Sequence, residues 1–116
     1  MGAHEVRRHD LPKAIEAWRK VERAQPDDVT ALAALDRLLA LEGRVAELVV
    51  VVARRAELTD DAGVRLVLLH RVAALYEEVL ADPANAIVAY RNVLGVDDSD
   101  IAALDAIISD GALTLR

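Results

Sequence analysis

The chain has 116 residues, 54% of them hydrophobic, with aromatics at only 3% and neither Phe nor Cys. That profile suits one globular domain of Ala, Leu, Val and Ile and excludes disorder, disulfides, thiolate metal sites and thiol catalysis. Twenty Asp and Glu against 14 Lys and Arg leave a net charge of −6, which repels phosphate backbones and argues against nucleic-acid binding.

Met1 to Asp10 is charged and lacks the apolar core of a signal peptide. The longest aliphatic run, Leu48 to Ala53, is far short of the roughly 20 residues needed to cross a bilayer. A soluble, cytoplasmic protein without a membrane partner is the expectation.

Apolar periodicity, punctuated by scarce Pro and Gly, predicts six helices over residues 11–24, 28–41, 44–58, 62–80, 84–94 and 99–109. The first follows Asp10, has Pro12 in its first turn, and carries Ala14, Ile15, Trp18 and Val21. The second follows Pro26 and Asp27-Asp28, sets Leu32, Leu35 and Leu39 along one stripe, and stops at Gly43. The third contains Val49-Val50-Val51-Val52, a run that favours a strand on propensity alone. Its flanks are strong helix formers, and Val45, Leu48, Val52 and Ala56 recur at helical spacing, so it reads as helix. Asp60-Asp61 opens the fourth, Asp82-Pro83 the fifth, and the cluster Asp97, Asp98 and Asp100 the sixth. A carboxylate there accepts hydrogen bonds from the first, unpaired N–H groups and opposes the helix dipole. Capping is the reading for these clusters. Asp97-Asp98-Ser99-Asp100 lacks the Gly and the distant Glu of a calcium loop.

Self-comparison reveals an internal repeat. Ala14-Ile15, Ala17-Trp18-Arg19 and Val21 return 72 residues later as Ala86-Ile87, Ala89-Tyr90-Arg91 and Val93. At the same offset of 72, Asp28, Val29, Ala31, Leu32 and Leu35 become Asp100, Ile101, Ala103, Leu104 and Ile107. The offset is about two periods of a 34-residue helix pair. Leu69, Val72, Ala73 and Tyr76 have the spacing of W-x₂-L-G-x₂-Y, and Ala86 and Tyr90 that of A-x₃-F. Ala14 and Trp18 repeat the second pattern, with Pro26 eight residues beyond Trp18. Over nearly its whole length the chain resembles the tetratricopeptide repeat (TPR) family. Two departures stand out: Asp36 occupies a position usually held by a small residue, and Leu48 to Ala86 spans 38 residues rather than 34.

The resemblance implies an all-α, right-handed α-solenoid of antiparallel helix pairs. It divides the chain into a half repeat at 1–26, repeats at 28–59 and 62–97, and a terminal half repeat at 98–116. Small residues such as Ala14, Ala73 and Ala86 let helices approach, and Trp18, Tyr76 and Tyr90 fill the space above them. The family lines a concave groove with the first helix of each pair. Here that implies Thr30, Ala33, Arg37, Val67, His70, Ala74, Glu77, Ala102 and Asp105, with a partly buried imidazole holding one backbone partner as the alternative for His70. With Glu77 and Asp105 against Arg37, a bound peptide should be neutral or basic.

No Gly-rich phosphate loop, His-Glu-x-x-His or nucleophile elbow occurs, and no hydroxyl lies beside a base. Glu5 and His9 would make two metal ligands at most, which is not a site. The expectation is a non-catalytic protein-interaction scaffold without metal or cofactor, gripping a peptide or helix. The alternative is a self-assembling structural module, or a segment of a longer array. Its basis is that Trp18, Val50, Ile107, Ile108 and Leu113 fall where a lone array would leave them wet, which predicts a homo-oligomer.

Overall fold

The computed structural model describes residues 10–109, which form six helices, with no strand among the described residues. They are α1 (Leu11–Ala24), α2 (Val29–Glu42), α3 (Val45–Leu58), α4 (Ala62–Ala74), α5 (Pro83–Val96) and α6 (Ile101–Ser109). The valine run is helical: Val49, Val51 and Val52 are buried, while Val50 is 66% exposed. Because α3 is covered on two sides, its β-branched residues contribute packing that outweighs their modest helix penalty.

Asp28, Asp61, Asp82 and Asp100 each accept a hydrogen bond from the N–H three residues on, in Ala31, Val64, Asn85 and Ala103, at 2.9–3.2 Å. The internal repeat is visible here, since Asp28–Ala31 and Asp100–Ala103 are one cap 72 residues apart. Replacing Asp28 by Ala should lower stability by about 1 kcal/mol, read from a urea titration with an unchanged slope. At the other end of α2, Gly43 takes φ 75°, the left-handed conformation that closes a helix, and its N–H and that of Arg44 return to Ala40 and Leu39.

Between Leu48 and Ala86, where the sequence spacing is long, the regular geometry changes. After Ala74 the helix widens into a π-turn, Leu75–Val79, with the N–H of Leu80 reaching the carbonyl of Leu75 at 2.9 Å. Ala81 follows at φ 50°, a conformation costing a non-Gly residue about 1 kcal/mol. The single predicted helix over 62–80 is therefore an α-helix followed by a π-turn.

The main helix contacts run between consecutive helices, α1 with α2 through to α5 with α6, and the π-turn also touches α3 and α5. The molecule is drawn out along one axis, with extents of 56 × 28 × 27 Å. The core runs the length of the stack. In α2, Leu32, Leu35, Leu38 and Leu39 are all fully buried, and α5 contributes Ala86, Ala89, Tyr90 and Val93. Each large aliphatic side chain so buried stabilises the fold by about 1.5–3 kcal/mol.

Candidate functional site

The residues assigned to a groove lie on α2, α4, the π-turn and α6. Thr30, Ala33, Arg37, Ala102 and Asp105 are exposed, Val67 is 61% exposed, and His70 and Ala74 are half-buried. His70 Nε2 lies 2.9 Å from Asp100 Oδ2, which joins α4 to the start of α6. The N–H of Ala103 and then His70 hold the Asp100 carboxyl below the usual carboxylate range. Glu77 is exposed but accepts a hydrogen bond from the Tyr90 hydroxyl at 3.0 Å, tying the π-turn to α5.

On the opposite face of α4 a cavity of about 440 Å³ opens between α3 and α5. Leu69 and Val72 form its floor, Ala53, Ala56 and Val96 its walls, and Glu57, Arg65 and Asn92 its polar edge. Arg65, Leu69 and Val72 stand at i, i+4 and i+7, about half a turn around the helix from Val67, His70 and Ala74. The cavity and the expected groove thus use different sides of one helix. Arg65 is held in place by donating to the carbonyl of Ala56 at 3.1 Å and to that of Thr59. Between α1 and α3 the equivalent gap is bridged by charge. Arg19 donates to Glu47 at 2.9 Å, and Arg44 to the same carboxylate at 2.6 Å. Arg44 and Arg19 hold the Glu47 carboxyl below its ordinary value.

The sequence reading missed the role of Asp36, which it registered only as a departure from pattern. Asp36 is the buried charge among the described residues, 6% exposed. It accepts from Arg55 of α3 at 2.5 Å and from both terminal nitrogens of Arg71 of α4 at 2.8 Å. Burial on its own would raise the carboxyl pKa, but the bonds from Arg71 and Arg55 outweigh it and hold the value below the usual range. One carboxylate therefore fixes α2, α3 and α4 relative to one another. A signal was present: Asp36 lies on the stripe of Leu32 and Leu39, at i+4 and i−3, and a carboxylate there demands cations from facing helices.

The residues assigned to self-association divide three ways. Val50 and Ile108 are exposed, and Trp18 is half-buried against the core. Ile107 requires correction: at 1% exposure it is a core residue, because α6 turns that face onto α5. Ile108, one position on, is 58% exposed. Leu113, like His4, Glu5 and His9, lies outside the described residues.

No group of three His, Cys, Asp or Glu able to hold a metal occurs among the described residues, and none of the described helices is long and apolar enough to cross a membrane. Neither a family model nor a curated protein matches the chain.

Proposed function

We propose that the chain is a non-catalytic protein-interaction scaffold, a TPR-like right-handed solenoid of antiparallel helix pairs. Support for the solenoid comes from packing between consecutive helices and from the cap and core residues that recur at an offset of 72. Turns as short as Gly43-Arg44 fit antiparallel neighbours.

The single observation carrying the function is the apolar-floored cavity between α3 and α5. Its aliphatic floor and mixed-charge edge suit one or two apolar side chains of a peptide or helix laid between the two walls. The proposed docking surface thus moves from the Val67–His70 face to the Leu69–Val72 face of α4. The test is a display selection of random peptides on the folded chain, followed by amide chemical-shift mapping. Shifts should centre on Ala53, Glu57, Leu69 and Asn92, and Ala53→Trp, which fills the space, should weaken binding at least tenfold without lowering Tm. Shifts centred on Thr30, Arg37, Val67 and Asp105, with binding unaffected by Ala53→Trp, would return the site to the other face.

A further inference from the structure

The internal repeat allows α1 and α6 to be compared with their counterparts α5 and α2. α5 is packed between α4 and α6, and buries Ala86, Ala89 and Val93. Their counterparts 72 residues earlier are Ala14, Ala17 and Val21 on α1, the same residue types at the same spacing. There Ala17 is exposed, and Ala14 and Val21 are only half-buried. Ile15, on the neighbouring stripe that meets α2, is fully buried. Ala14, Ala17 and Val21 are thus less covered than Ala86, Ala89 and Val93.

The same holds at α6. Its counterpart α2 lies between α1 and α3, and buries Leu32 and Asp36. At the same offset of 72, Leu104 is half-buried and Ile108 exposed, while Ala103 and Ile107, counterparts of Ala31 and Leu35, are as buried as their originals. Among the described residues, no helix packs on α6 as α3 packs on α2, and none on α1 as α4 packs on α5.

In the alternation of first and second helices, α6 is a first helix and α1 a second. A second copy placing its α1 against α6 would continue the order of α4 followed by α5. Charge agrees with this pairing. α1 carries Lys13, Arg19, Lys20 and Arg23 against Glu16 and Glu22, and Lys13 and Lys20 flank the exposed Ala17 at i−4 and i+3. From Asp97 to Ser109 there are four carboxylates and no Lys or Arg, and Asp105 lies three residues before Ile108. Like ends repel and unlike ends attract.

We infer that the chain associates head to tail, the α1 face of one copy (Ala14, Ala17, Val21) receiving the α6 face of the next (Leu104, Ile108). The occupant is a second copy of this chain, and the contact is heterologous, so oligomers lengthen with concentration unless the rotation closes a ring. The surface is separate from the cavity between α3 and α5, and either can fail without the other.

The test uses two variants at exposed positions, Ala17→Glu and Ile108→Asn, whose circular dichroism and Tm should match the parent. In sedimentation velocity from about 10 to 500 µM the parent should grow in mass with concentration, and less so in 0.5 M NaCl because the ends are oppositely charged. Each variant alone should be monomeric, its self-affinity reduced at least tenfold. An equimolar mixture should form a one-to-one heterodimer, since each variant keeps the end the other has lost. Either variant dimerising alone would mean a symmetric contact and overturn the proposal. A parent monomeric throughout would overturn it too, and if it then associated once residues 110–116 were removed, that segment would be the occupant instead. A mixture that stays monomeric would also overturn it.

Discussion

Asp36→Ala should be the most damaging single change to a charged residue in this protein, lowering the unfolding free energy at pH 7 by roughly 3 kcal/mol. The substitution removes three hydrogen bonds and leaves Arg55 and Arg71 facing a gap in the interior. Their side chains retain 32% and 39% exposure, so both guanidiniums can turn partly to water, which places the loss at the lower end of the range for broken buried pairs. The pH dependence identifies the cause. Asp36 has a folded pKa lowered by Arg71 and Arg55 against the pull of burial, so it binds its proton less readily folded than unfolded. Its contribution is complete above the unfolded value, near 4, and is lost as pH falls through the folded one. Parent and variant should therefore differ most at neutral pH and converge in acid. Glu47 and Asp100 also have lowered values, so both proteins weaken in acid and only the difference between them reports on Asp36. A gap that stays constant from pH 7 to pH 3 would show that the charge is not what matters. A double substitution separates charge from packing. Asp36→Leu combined with Arg71→Leu should recover most of the loss, because exchanging a buried ion pair for apolar packing is often neutral.

Asp36 also marks where sequence reading stops. Helix positions were legible because most boundaries carry their own chemistry, a capping Asp at the start of α2, α4, α5 and α6 and Gly43 or a break in apolar period at the end. Even the valine run was decidable, since its flanks hold a helical stripe and an isolated strand would have no partner. Partnerships between helices were not legible. That Asp36 meets Arg55 and Arg71 depends on how three helices are rotated, and spacing along one helix constrains rotation only to within a side chain or so. The cavity between α3 and α5 was not legible either. Residues for both faces of α4 were in view, yet the gap between α3 and α5 depends on how far apart two helices stand. Between α1 and α3 the carboxylate of Glu47 closes the corresponding gap by engaging Arg19 and Arg44. No such bridge was readable in advance at either place. The 38-residue spacing pointed to a longer turn rather than to the π-turn, since an excess of four residues can be absorbed in a loop as readily as in a helix.

Rotation by one residue decides the last prediction as well. Ile107 and Ile108 are chemically identical neighbours, and apolar content alone assigns both to an uncovered end. Helical geometry separates them by about 100°, enough to put one against α5 and the other in solvent. Ile107→Asn should therefore behave as a core lesion. It replaces a packed aliphatic group with an amide that has no partner, and each of those effects is worth about 1–3 kcal/mol, or roughly 3–4 together. The loss should be local rather than global. α6 makes its main contacts with α5, and in a stack of helices a weakened terminal element can undock while the rest stays folded. Amide protons of α6 should thus exchange 100-fold faster or more in Ile107→Asn, with those of Leu32 to Leu39 in α2 unchanged. Ile108→Asn, at a concentration too low for association, should leave both sets within a factor of about three, as expected for an exposed substitution. Equal effects at 107 and 108 would mean that α6 does not present a fixed face to α5. Accelerated exchange reaching α2 would mean that the six helices unfold as one cooperative unit rather than from the end.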